Sequence, residues 1–303
     1  MEAPHEPVRS RDGEETRPSE DVSPHEVPQS FETRPVSEAT LQDAGQLIVE
    51  LFSTIGHEFR TPLAVIKGYN SMLLLHGQRL SSEERREFHA AIQQASDRLE
   101  LLIEQVLELA HLETGAVHLD EGTVDIPRLA REAITKAQQH VPEPLRDRVT
   151  FHLHLRDESR NETQAVPLVR GDPRRVHKML TQLLDNAIRF SPEGGRIDVI
   201  VQPVAQARMA SAPVPPQNSA FFLEICVCDF GIGIPEEHLE RIFERFHRVE
   251  TEVTREVQSL GLGLAVCWHL VALHRGRIWA ESCPAGGSAF HLWLPTAEPP
   301  SMR

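Results

Sequence analysis

Between residues 48 and 73 the large apolar side chains fall mostly three or four apart: Ile48, Phe52, Ile55, Phe59, Leu63, Ile66 and Leu73. The spacing returns, with charges between, at Phe88, Ile92, Ala95, Leu99, Leu102, Val106 and Ala110. This period predicts two amphipathic helices. Ser81 and Ser82 ahead of Glu84 supply the start signal of the second. Two such helices joined by a short polar turn make an αα-hairpin. A lone hairpin leaves an apolar seam in water. Pairing two copies into a four-helix bundle hides the seam and predicts a homodimer; the other possible cover is the second domain of the same chain.

After about residue 125 the pattern changes. Residues 149–156 alternate like a half-buried strand. Asp172 followed by Pro173 is an N-cap with proline at the first helical position, opening a helix to about Phe190. GRIDVIVQ and FFLEICVCD read as strands, joined by a loop at 203–219 rich in Ala, Pro and Ser. Pro235 with Glu236 and Glu237 predicts another helix. A further helix is expected from about Gly261 to His274, closed by Gly276 as its C-cap. RIWAES and AFHLWLP then form a hairpin around Gly286 and Gly287. Helices interleaved with hairpins imply an α/β two-layer sandwich, so the chain as a whole is α+β.

Composition sets limits on this picture. A chain of 303 residues with 40% hydrophobic residues can bury a real core. Its net charge of −14 argues against nucleic acid and against an anionic membrane surface as partners. No run reaches the ~18 apolar residues of a membrane span, and the start carries no apolar signal region, so a cytoplasmic location without a direct membrane span is expected. Residues 1–40, rich in Glu, Pro, Ser and Arg, read as a disordered acidic, Pro-rich tail. The expected divisions are that tail, a helical-hairpin domain at 41–115, an α/β domain at 122–297 and a tail at 298–303. Four cysteines make no disulfide framework. Cys226 and Cys228 share one face of a strand and read as small core residues of a reduced cytosolic protein.

Candidate chemistry lies in four places. His57 stands off the apolar stripe in the run F-S-T-I-G-H-E-F-R-T-P-L, with Glu58 beside it, Thr61 one turn on, and Pro62 predicting a kink. An imidazole attacks phosphorus only when one ring nitrogen is unprotonated, and a carboxylate can accept the proton from the other. Lys178, Gln182, Asn186 and Arg189 form a polar stripe opposite the apolar Val176, Leu180, Leu183, Leu184 and Ala187. Asn186 is a poor helix-interior residue whose amide oxygen suits magnesium; the alternative is a solvated helix face. The run D-F-G-I-G-I-P places Asp229, Gly231, Gly233 and Ile234 at a strand end. There Asp229 can accept from an amino group such as that of adenine, and the glycines permit close approach. Gly261, Leu262, Gly263 and Leu264 open a helix whose N–H groups and dipole favour a phosphate. Between the last two, Phe243 and Phe246 are core residues or the anchor of a lid. A P-loop is absent.

The order of these motifs over residues 45–296 resembles the two-component sensor histidine kinases. Their phosphoacceptor hairpin precedes an ATP-binding domain of the kind shared with Hsp90, MutL and gyrase (the Bergerat or GHKL fold). His57–Pro62 is similar to the family's H box, Asn186 to its N box, Asp229–Gly233 to G1, Phe243–Phe246 to the F box and Gly261–Gly263 to G2. The resemblance implies that His57 is the phosphoacceptor, Glu58 its general base and Thr61 a positioner of water in dephosphorylation. It implies that Asn186 holds Mg2+, that Asp229 reads adenine, and that Arg189, Phe190, Ile234, Phe246, Leu262 and Leu264 join the glycines around ATP. The implied partners are a second copy, a response regulator receiver domain and a separate sensor protein. The chain departs from the pattern at Gln182, where Asn is usual, and at Phe190, where Tyr is usual. Gln258, Ser259 and Leu260 also stand where the family carries further glycines, which implies a stiffer lid. An ATPase of the same fold acting on another protein, or a scaffold without ATP turnover, would share parts of this pattern.

Overall fold

The computed structural model of the protein describes residues 38–204, 221–249, 260–283 and 286–297, with side chains from residue 55 onward. Residues 1–37 and 298–303, nearly all of the loop at 203–219, and Gln258 and Ser259 lie outside the described residues. Apart from the first residues of α1, every feature below lies in the larger unit of the chain, Gln46–Arg303.

The hairpin forms as its period predicts. Helix α1 runs over Glu38–His76 with Pro62 inside it, and α2 over Ser82–Glu113. Ser81 caps α2: its hydroxyl accepts from Glu84 N at 3.1 Å while the Glu84 carboxylate accepts from Ser81 N at 2.7 Å. This reciprocal box satisfies two orphan donors at once. Across the hairpin the rings of Tyr69 and Phe88 meet at 4.9 Å. No helix among the described residues is long and apolar enough to cross a membrane.

The remaining elements are β1 (Gly122–Val124), α3 (Ile126–His140), β2 (Val149–Leu155), β3 (Val169–Gly171), α4 (Pro173–Arg189), β4 (Gly195–Pro203), β5 (Phe222–Cys228), α5 (Gly263–Leu273), β6 (Arg277–Ser282) and β7 (Ser288–Pro295). Five strands form one sheet in the order β2-β4-β5-β7-β6, antiparallel except for the β2–β4 pair. Strands β1 and β3 pair separately. The apolar side chains of α4, Val176, Leu180, Leu183, Leu184 and Ala187, are all buried with Ile197, Ile225 and Leu292 of the sheet in one core. Burying each of the larger ones contributes about 1.5–3 kcal/mol.

Three local features differ from expectation. Helix α3 was not anticipated, although Asp125 caps it by accepting from Arg128 N at 3.0 Å and Pro127 sits in its first turn. Its buried face is mostly alanine (Ala130, Ala133, Ala137), which weakens the apolar signal. Pro235 opens no α-helix. Two short 3-10 turns, Glu236–His238 and Arg241–Phe243, stand there instead, closed by i→i+3 bonds. They let the chain drop Ile242 into the core and turn at once toward Phe246. At the end of α5 the left-handed residue is Arg275 (φ 57°), not Gly276. Gly276 N donates to Val271 O and Arg275 N to Ala272 O, both at 2.9 Å, the bond pair of a Schellman closure. Gly276 is needed for space, because a side chain there would strike the backbone carbonyl of Trp293.

Asp172 is the main fastener of α4. Its carboxylate accepts from Arg174 N (2.9 Å), Arg175 N (3.3 Å) and Asp120 N (3.1 Å), and its own N–H donates to His274 Nε2 at 3.0 Å. Burial pushes this carboxyl up, but the backbone donors and Arg175 outweigh it and hold the group below the usual carboxylate range. A depressed carboxyl contributes stability that is complete above its ordinary value and is lost as pH falls through its folded value. Asp172→Ala is therefore expected to cost about 1–2 kcal/mol at neutral pH in chemical denaturation. It should also flatten the acid limb of the stability–pH curve.

Candidate functional site

A cavity of about 180 Å3 opens between α4, the loop after β5, the segment 247–249 and the start of α5. From α4 it receives Asn186 and Arg189, and from the C-cap of that helix Phe190. The loop after β5 gives Asp229, Gly233 and Ile234, and the approach to α5 gives Gly261, Leu262, Gly263 and Leu264. Asn186 is buried, so the polar stripe of α4 turns inward here rather than to solvent. Its Oδ1 accepts from Gln182 Nε2 at 3.3 Å.

Asp229 is fixed before any ligand arrives. It is buried, and its Oδ1 accepts from Gly231 N at 2.9 Å and Ser288 N at 3.2 Å. Burial pushes its carboxyl up, opposed by these two bonds. Gly231 does not line the cavity. It lies behind Asp229, where a side chain would meet the carbonyl of Phe190. Phe246 also stays outside the lining and acts through its backbone. It takes φ 60° and donates its N–H to Gly261 O at 3.1 Å, tying the foot of the 247–249 segment to the start of α5. Gly261, at φ 67°, faces His247 O, which a Cβ would approach to 2.7 Å. No side chain caps α5, so its first N–H groups are open beside the cavity.

Several lining residues were missed by sequence reasoning. Leu101 and Gln105 come from α2, and Asp185, His247, Arg248 and Ser288 add polar groups to a wall that Ile232, Ile242, Val249, Leu260 and Phe290 also line. Asp185 could have been noticed as the acidic neighbour of Asn186. Burial pushes its carboxyl up, with Arg189, His140 and Lys136 acting the other way. Leu101 and Gln105 carry no local signal, since only the docking of the sheet domain on α2 brings them to the cavity. Glu108 of α2 holds that docking, accepting from Arg175 Nη1 at 2.8 Å and from Lys178 Nζ, and Arg245 pairs with Glu113 at 2.7 Å.

His57 stands on α1, exposed and outside the cavity. The Thr61 hydroxyl donates to the His57 carbonyl at 3.5 Å, and Pro62 brings no N–H to the carbonyl of Glu58. Adjacent side chains on a helix do not face each other. The Glu58 carboxylate is instead held by two guanidiniums, Arg98 at 3.8 Å and Arg248 at 3.5 Å. One side chain, Arg248, therefore reaches both the cavity and the carboxylate next to His57.

Comparison with known proteins gives this geometry a context. The His Kinase A (phospho-acceptor) domain family matches residues 48–115. The histidine kinase-, DNA gyrase B- and HSP90-like ATPase family matches residues 171–298. The circadian input-output histidine kinase CikA of Synechococcus elongatus is 31% identical over 257 residues, covering 85% of this chain and 31% of that protein. The chain thus spans about a third of that relative's length. Among solved structures, full-length ShkA in complex with AMPPNP is similar at a TM-score of 0.52 and 25% identity, over 83% of this chain and 47% of that one. The histidine kinase AdeS of Acinetobacter baumannii shares the fold at a TM-score of 0.56 and 20% identity, over 80% of this chain and 98% of that one. A helical hairpin with an exposed histidine, an α/β domain whose cavity takes in Gly233, Gly261 and Gly263, and the two family matches in that order along the chain place this chain in the two-component sensor histidine kinases.

Proposed function

We propose that this chain binds ATP in the cavity, phosphorylates its own His57, and passes the phosphoryl group to an aspartate on a response regulator receiver domain. The observation that carries this reading is Arg248, which spans the nucleotide cavity and the carboxylate beside the exposed histidine. The AMPPNP of the ShkA structure supports a nucleotide as the ligand.

Asp229, already positioned by two backbone donors, accepts from the amino group of adenine. Arg189, Arg248 and the open N–H groups of α5 face the phosphates. The buried amide of Asn186 beside the carboxyl of Asp185 offers the hard oxygen donors that Mg2+ takes together with phosphate oxygens. That ion would neutralise charge on the phosphates. Glu58 takes the proton from the far nitrogen of the His57 ring, which requires Arg98 and Arg248 to release it, the Glu58 and His57 side chains to turn toward each other, and Arg248 to swing to the phosphates. Thr61, one turn from His57, orients water when the chain removes phosphate from its partner. The hairpin leaves Leu63, Met72, Leu74, Leu75 and Ile103 exposed, which supports a homodimer built on that seam. A cytoplasmic location and a separate sensor protein belong to the same reading.

Incubation of the purified protein with γ-labelled ATP and Mg2+ tests it. An acid-labile, alkali-stable label is expected. Glu58→Gln should slow labelling about a hundredfold, the scale of a lost general base, with nucleotide affinity retained. ATP hydrolysis without protein label would point to a kinase or ATPase acting on another substrate.

A further inference from the structure

The sheet has a second face, turned away from the helices. Leu223, Ile225 and Val227 of β5 and Phe290, Leu292 and Leu294 of β7 enter the main core. Alternation therefore sends Glu224, Cys226, Cys228, His291 and Trp293 to the other side. Cys226 is thus a buried small residue, as expected, but on the face away from the main core. Cys226 Sγ and Cys228 Sγ stand 3.2 Å apart, and Cys226 Sγ lies 3.9 Å from His291 Nε2. His291 is itself held, with Nδ1 3.0 Å from Glu224 Oε1 and its ring stacked on Trp279 at 4.8 Å. Cys226 is buried while Cys228 is half-buried.

We propose that Cys226 and Cys228 are a modification site for hydrogen peroxide, an oxidisable dithiol whose disulfide form weakens nucleotide binding by displacing Asp229. The thiolate of Cys228, the more accessible sulfur, attacks the O–O bond of the peroxide. Cys228 becomes a sulfenic acid and the other oxygen leaves as water. The Cys226 sulfur then displaces that hydroxyl as a second water and forms the S–S bond. Two thiols lose two electrons and two protons, and the peroxide is reduced to water. The hydrogen bond from the Cys226 thiol draws the Cys228 thiol below its ordinary value, although burial and the carboxylates of Asp198, Asp229 and Glu224 act the other way. The same bond pushes the Cys226 thiol up, so the proton stays on the buried partner.

The consequence for the cavity follows from strand geometry. A disulfide needs Cβ atoms about 3.8 Å apart, whereas same-face neighbours on an extended strand stand about 6.6 Å apart. The sulfurs can meet only if β5 buckles at Val227. Cys228 pairs with Ala289, and Asp229, the next residue, donates its N–H to Ser288 O at 2.9 Å while its carboxylate takes Ser288 N. A shortened strand end moves all three contacts, and Asp229 with them.

The affinity part of this inference rests on the proposed function, so the experiment reads thiols and nucleotide separately. The reduced full-length protein is treated with hydrogen peroxide, alkylated and peptide-mapped, and ATP affinity is measured in parallel. The map should show Cys226 and Cys228 lost together as one disulfide. ATP affinity should fall about tenfold, within the usual range of coupling between sites, and both changes should reverse with a thiol reductant. Cys228→Ser and Cys226→Ser, checked for an unchanged melting temperature, should keep their ATP affinity under peroxide. Full alkylation of both cysteines after peroxide overturns the proposal. So does a bridge from Cys228 to Cys283, or a Cys226–Cys228 disulfide with unaltered ATP affinity. If the reduced protein binds no ATP at all, the proposed function fails and the map alone decides the modification site.

Discussion

His57→Gln should abolish the acid-labile label while leaving ATP affinity within about twofold of the original, as expected for sites without a shared contact. The imidazole is exposed on α1 and contributes nothing to the cavity wall. Glutamine keeps the polarity and the helix but has no nitrogen nucleophile. Two measurements decide the matter: phosphoryl incorporation from γ-labelled ATP, and nucleotide binding by titration. Label retained in the variant would move the acceptor to another residue. Lost ATP binding would mean that α1 is part of the nucleotide site.

Asp229→Ala should give the complementary result, a fall in ATP affinity of about a hundredfold with labelling lost in proportion. The substitution removes the proposed acceptor for adenine and also leaves Gly231 N and Ser288 N without their shared partner in a buried place. Losses of this kind are worth about 1–3 kcal/mol each. Asp229→Asn should fall between, because its amide oxygen can still accept from the two backbone donors. An Asp229→Ala protein that binds ATP normally would show that adenine is read elsewhere. Together the two variants separate binding from transfer, which a single loss-of-activity variant cannot do.

Sequence reached far where local rules govern. Asp172–Pro173, the reciprocal box at Ser81 and Glu84, and the three-and-four spacing of both hairpin helices each describe a structure made within a few residues. Each forms as read. The polar stripe of α4 was legible as a stripe, but its direction was not. Asn186 and Gln182 could equally have faced water, and only the placement of α5 makes them a wall. Leu101 and Gln105 were invisible because 77 residues or more separate them from the other lining residues, and nothing local marks such a partner. The period of two placed Cys226 and Cys228 on one face without saying which. At Arg275 the general preference for glycine in a left-handed position misled, because the space constraint sits one residue later, at Gly276.

The two α2 side chains in the cavity wall carry a consequence for signalling. A binding site with one wall borrowed from a lever must share its free energy with that lever. Whatever rotates α2 alters how fully the site fills at a fixed ATP concentration. By the same reciprocity, ATP resists that rotation. The hairpin could then be read as a gauge whose needle is nucleotide occupancy. A signal that twists it by a few degrees would be registered first as a change in occupancy, before any phosphoryl group has moved.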